Sequence, residues 1–220
     1  MFENFDPLSI FNAAEFFRWF VDNASYILIF VFMTIESSFI PCPSEVVIPP
    51  AAWKAAHNES LNIYLVVLFA TIGANIGALI NYYLARWFGR PLIYAFAGSR
   101  WGHMCLIDEA KVQHAESYFE RHGAISTFVG RLIPAVRQLI SIPAGLARMK
   151  LSTFLLFTTL GAGIWNTILA TLGYYLSTVP GIETEEQLMA QVSKYSHEIG
   201  YAIIAVVAAV ILFLIYKGRK

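Results

Sequence analysis

The chain has 220 residues, of which 57% are hydrophobic and only 14% charged, against roughly 45–50% and about 25% in an average soluble domain. So little charge leaves too little polar surface to cover a water-soluble globule of this size, and the same balance excludes disorder, collagen-like repeats and a disulfide scaffold. With 15 basic and 15 acidic residues the formal net charge is zero, which gives no footprint for nucleic acid. The composition is that of an integral membrane protein. No basic region precedes an apolar stretch at the N-terminus, where Glu3 and Asp6 stand instead, so the mature chain is expected to begin where the sequence does.

Residues 1–23 read as an amphipathic interfacial helix, with Glu15, Arg18 and Asp22 interrupting an apolar pattern and Trp19 at the interface. Ala24 to Ile35 is uncharged but covers only ~18 Å as a helix, short of a ~30 Å hydrocarbon core. Pro41, Pro43, Pro49 and Pro50 follow, together with Glu36 and Glu45. Prolines prevent a continuous helix, and irregular backbone at membrane depth persists only inside protein or beside a water-filled cavity. Residues 24–57 are therefore expected to form a first re-entrant hairpin with its tip near Pro41 and Pro43.

Residues 61–86 form a transmembrane span whose Gly73, Ala74, Gly77 and Ala78 make a small-residue face suited to close packing. Residues 100–121 are polar, with the pattern of an amphipathic cytoplasmic helix. Residues 123–147 are apolar again but carry Arg131, Pro134, Arg137 and Pro143. Spans at 151–179 and 199–216 complete the chain, the second closed by Lys217, Arg219 and Lys220.

Basic residues flank both ends of 123–147: Arg86, Arg90, Arg100, Lys111 and Arg121 before it, Arg148 and Lys150 after it. A segment with cytoplasmic flanks on both sides has not crossed, so it reads as a second re-entrant hairpin, opening inward. The first hairpin then opens outward and the C-terminus is cytoplasmic. Hairpin plus span occurs twice in opposite orientations. Ile40-Pro41 with Pro50-Ala-Ala echoes Ile133-Pro134 with Pro143-Ala-Gly, and inverted repeats with broken helices are the build of many secondary transporters. The expected fold is thus an all-α integral membrane domain spanning 1–220.

Glu36, Glu45, Arg131 and Arg137 would together cost on the order of 10 kcal/mol facing lipid. They must face one another, a cavity or a ligand. One reading is a structural ion-pair network between the hairpins. In the other, Arg131 and Arg137 hold an anion, for which a guanidinium fork suits phosphate, while Glu36 and Glu45 carry protons or gate access. Cys42 and Cys105 form no paired motif, and His103, His114 and His122 lack metal-ligand spacing. Neither a metal nor a cofactor is expected.

Glu36 and Glu45 around Ile-Pro-Cys-Pro-Ser-Glu, the run Phe128-Val-Gly-Arg131-Leu-Ile-Pro134-Ala-Val-Arg137, Ala144-Gly145 with Met149, and Gly161, Trp165 and Gly173-Tyr174 resemble the DedA family of the SNARE-associated (VTT-domain) superfamily. The likeness covers about residues 36 to 175. It implies a multi-pass bacterial inner-membrane flippase that recycles undecaprenyl phosphate, with links to the proton-motive force. It also implies that the family's essential acids correspond to Glu36 and Glu45 and its essential arginines to Arg131 and Arg137. The expected partners are a polyprenyl phosphate or phospholipid, the bilayer and protons, and a homo-oligomer is left open. Rival readings from the same charges are a phospholipid scramblase, a proton-coupled ion antiporter and an intramembrane lipid phosphatase. The enzyme is disfavoured because no clear nucleophile stands near the arginines.

Overall fold

A computed structural model describes residues 19–38, 44–57, 61–89, 109–133 and 136–180, positions 91, 94 and 95, and parts of 187–209. The described residues are helical and contain no strand. The main helices are α1 (Tyr26–Glu36), α2 (Ile48–His57), α3 (Ile63–Leu84), α4 (Glu109–Leu132), α5 (Ser141–Leu146) and α6 (Leu151–Ser177). A 3-10 turn, Ser44–Val46, precedes α2, and a π-helical turn, Ala85–Gly89, prolongs α3.

Among the described residues, α3 with its π turn and α6 are the two helices long and apolar enough to cross a membrane. They match the expected spans at 61–86 and 151–179. Asn62 starts α3 by accepting from the Tyr64 amide at 2.9 Å, satisfying one of the orphan donors of the first turn. The two helices run antiparallel: Tyr82 stacks on Phe154 at 4.8 Å, Thr159 donates to Asn75, and Asn166 donates to Thr71. Their outer faces invert the soluble pattern. Ile72, Ile76, Ile80 and Leu84 on α3, with Leu156, Leu160 and Ile164 on α6, are exposed apolar side chains at helical spacing, as a lipid-facing surface requires.

Each long helix is accompanied by a pair of shorter arms. α1 stops at Glu36, and after the 3-10 turn α2 carries Pro49 and Pro50 in its first turn, where a missing N–H costs no helical bond. In the second pair, a turn at 136–140 joins α4 to α5, and Pro143 likewise lies in the first turn of its helix. Pro41, Pro43 and Pro134 lie outside the described residues. So do residues 1–18 of the expected interfacial helix and most of the expected span at 199–216. α4 runs unbroken through Gly123, so the polar segment before it and the apolar segment after it share one helix.

Packing between the two sets follows a crossed pattern. α1 packs most extensively on α3, and α4 on α6, each within its own set. The return arms go the other way, α2 onto α6 and α5 onto α3. The small-residue face of α3 serves the first contact. A Cβ at Gly73 would approach the Phe30 carbonyl, and one at Gly77 the Thr34 carbonyl. On α6, a Cβ at Gly161 would lie 2.6 Å from Arg131 Cβ, and one at Gly173 would collide with the Pro49 backbone. Only glycine admits backbones this close.

The end of α5 is unusual. Met149 N–H donates to the Ala144 carbonyl and Arg148 N–H to that of Gly145, the paired closure that normally uses a left-handed glycine. Here Arg148 takes that position, with φ 50°. Its side chain is exposed, and Tyr82 Oη donates to the Met149 carbonyl at 2.5 Å.

Candidate functional site

The four charges meet where the arms turn, but unequally. Glu36, the last residue of α1, is 2% exposed. Its Oε1 lies 2.8 Å from Arg137 Nη2, and its Oε2 accepts from Ser37 Oγ at 2.9 Å. Glu45, in the 3-10 turn, brings Oε2 to 3.6 Å from the same guanidinium nitrogen, with a side chain 20% exposed. Both acids therefore converge on Arg137. The Arg137 guanidinium also lies over the Trp165 ring, 5.3 Å from its centroid, a cation–π contact that strengthens when desolvated.

Arg131 is placed differently. It stands in the last turn of α4, 3% exposed, and its Nη2 donates to Ser141 Oγ at 3.0 Å. Among the described residues no carboxylate comes within salt-bridge distance of it. The Nε atoms of both arginines are buried with no hydrogen-bond partner among the described residues. The sequence left open whether the four charges face one another, a cavity or a ligand; the structure gives both acids to one arginine and a neutral serine to the other. The reason is positional. Arg137 lies in the turn of the second arm pair, facing the first pair, whereas Arg131 lies inside α4 against Gly161 of α6.

Two further residues hold the turns together. Asn81 of α3, 5% exposed, donates through Nδ2 to the Ser37 carbonyl at 3.2 Å and to the Gln138 carbonyl at 3.4 Å. One amide thus touches both turns. Trp165 of α6 donates to Ser44 Oγ at 3.4 Å while its ring lies under Arg137. Sequence reasoning gave Asn81 no role. Its signal was there: a side-chain amide inside an uncharged span needs an internal partner.

Chemically, the site presents a paired arginine that a competing anion can release and a buried arginine with unused donors. Such donors are of the kind that an oxyanion would take.

The comparisons with known proteins give the family. Residues 42–175 match the VTT domain, more than half of the chain. Undecaprenyl phosphate transporter A of Staphylococcus aureus is 33% identical over 202 residues, covering 91% of this chain and 95% of that protein. An alkaline phosphatase-like protein of Lactococcus lactis subsp. cremoris is 35% identical over 185 residues, 84% and 83% of the two chains. Protein DedA of Escherichia coli is 21% identical over 196 residues, 87% and 83%. No solved structure matches. Transporter-named relatives of this length support a membrane transporter role. With the VTT match, the exposed apolar faces and the buried arginine-carboxylate site, the chain belongs to the VTT-domain (DedA) family of membrane proteins.

Proposed function

We propose that this chain is a flippase of the cytoplasmic membrane that moves undecaprenyl phosphate between leaflets, its headgroup held at Arg131 and Arg137 and its tail left in lipid. The observation that carries the proposal is Arg131, a guanidinium 3% exposed with no carboxylate in salt-bridge reach among the described residues. A buried charge without a direct ion pair is costly, and a phosphate oxyanion supplies one. The relatives named undecaprenyl phosphate transporter support that choice of lipid.

In this reading, phosphate enters against Arg131 and then competes with Glu36 and Glu45 for Arg137. A displaced carboxylate takes up a proton, and its later deprotonation and return to Arg137 expel the lipid. Glu45, the more exposed acid, exchanges the proton. The two arm pairs act as re-entrant hairpins opening to opposite sides, with the basic loop between α3 and α4 in the cytoplasm. Glu59→Cys and Glu185→Cys would then label from outside, and Arg100→Cys and Arg148→Cys only from inside.

The test of function is flipping in proteoliposomes containing undecaprenyl phosphate, with and without a pH gradient. Accelerated flipping that loses its pH dependence in Glu45→Gln is expected. No acceleration over empty liposomes would overturn the proposal. The relatives named alkaline phosphatase-like favour a second reading, an intramembrane phosphatase. Release of inorganic phosphate from undecaprenyl pyrophosphate by the purified protein would establish it, and an intact substrate would remove it.

A further inference from the structure

Thr158 lies in α6, fully buried, and its hydroxyl has no hydrogen-bond partner among the described residues. Among the other helical threonines, buried Thr127 donates to Met149 Sδ at 3.7 Å, and four more bond back to their own helix. Thr34, Thr71, Thr159 and Thr167 each donate to the carbonyl four residues back, at 2.8, 2.7, 2.8 and 2.7 Å. The same bond, to the Phe154 carbonyl, is open to Thr158 by helical geometry and is not made. Its immediate neighbour in sequence, Thr159, makes both that bond and one to Asn75.

The face of α6 that carries Thr158 is the face that meets the arginines. Thr158, Gly161 and Trp165 are spaced i, i+3 and i+7, which aligns them along one side of a helix. Gly161 abuts Arg131, and Trp165 lies under Arg137. Among the described residues, the buried donors without a partner that belong to Thr158 and to these arginines are Arg131 Nε, Arg137 Nε and Thr158 Oγ. A phosphate monoester offers three terminal oxygens, whereas a phosphodiester offers two.

Resting on the lipid-phosphate reading above, we propose that the Thr158 hydroxyl is a third headgroup ligand, donating to a terminal phosphate oxygen and favouring phosphomonoester over phosphodiester lipids. An unpaired buried hydroxyl destabilises the empty protein and is satisfied when the headgroup arrives. Valine has the same shape without the hydroxyl, so it separates the two effects.

The experiment measures binding of undecaprenyl phosphate and of phosphatidylglycerol to detergent-solubilised full-length protein by calorimetry, with thermal unfolding of the lipid-free protein alongside. Thr158→Val is expected to unfold no earlier than the parent and to bind undecaprenyl phosphate at least about tenfold more weakly, the scale of one lost hydrogen bond to a charged acceptor. Its binding of phosphatidylglycerol should change little, and Thr158→Ser should match the parent. Valine binding like the parent, while Arg131→Lys is weakened, would overturn the threonine's role and leave the lipid reading standing. Earlier unfolding of the lipid-free valine variant would also overturn it, since the hydroxyl would then have an internal partner. Failure of the parent itself to bind undecaprenyl phosphate would remove the reading and the inference together.

Discussion

Arg137 and Arg131 lie six positions apart and are both buried, yet their surroundings are opposite. Arg137 has two carboxylates, an aromatic face and a place in a turn. Arg131 has a serine hydroxyl and the backbone of a continuous helix. The first is bound into the protein's own charge balance, so removing it leaves two acids exposed to the interior. The second makes no salt bridge among the described residues, and Glu36 reaches it only through the electrostatic field. Residues of identical chemistry thus differ in whether an ion pair or a neutral hydroxyl meets them.

The largest effect should come from breaking the paired side. Arg137→Ala leaves Glu36 and Glu45 facing one another without a cation and should destabilise the protein by about 3–5 kcal/mol. Arg131→Ala removes a buried charge that has no direct ion pair among the described residues and should leave the lipid-free protein's unfolding temperature unchanged or raised. Thermal unfolding of the two variants in one detergent checks this, and equal losses would erase the distinction drawn between the arginines.

Gly161→Ala attacks the other side through its support. The added Cβ, 2.6 Å from Arg131 Cβ, must push α4 from α6, costing about 1–3 kcal/mol. Transport should fall more than in Gly163→Ala, where a Cβ would meet nothing nearer than 3.9 Å. Arg131→Lys keeps the charge but loses the fork. It should fold at near-normal yield yet bind undecaprenyl phosphate at least about tenfold more weakly, roughly 1.4 kcal/mol. The smallest effect is a gain. Arg148 holds φ 50° in a closure suited to glycine, so Arg148→Gly should raise stability by about 0.5–1 kcal/mol, read as a higher unfolding temperature.

Much of this was readable in the sequence because the membrane makes some patterns expensive to violate. Uncharged stretches of span length located α3 and α6, and four charges in apolar surroundings located the site. The unequal pairing was not readable, because spacing gives neither the direction of a turn nor which helix backs an arginine. Gly161 and Trp165 were visible as motif residues, but their contacts with Arg131 and Arg137 depend on how α6 packs. Thr158 was hidden more completely, since a threonine in an apolar helix usually bonds back to its own backbone.

The crossed placement of the return arms has a mechanical consequence. α2 belongs by sequence to the first set but rests on α6, and α5 belongs to the second but rests on α3. Two half-length chains exchanging these arms would make the same contacts as a domain-swapped dimer. In one chain the exchange acts as an interlock: neither half can tilt as a rigid body without dragging an arm of the other. Rocking of whole repeats is thereby obstructed. The long helices α3 and α6, each carrying an arm of the other's set, are tied into one unit.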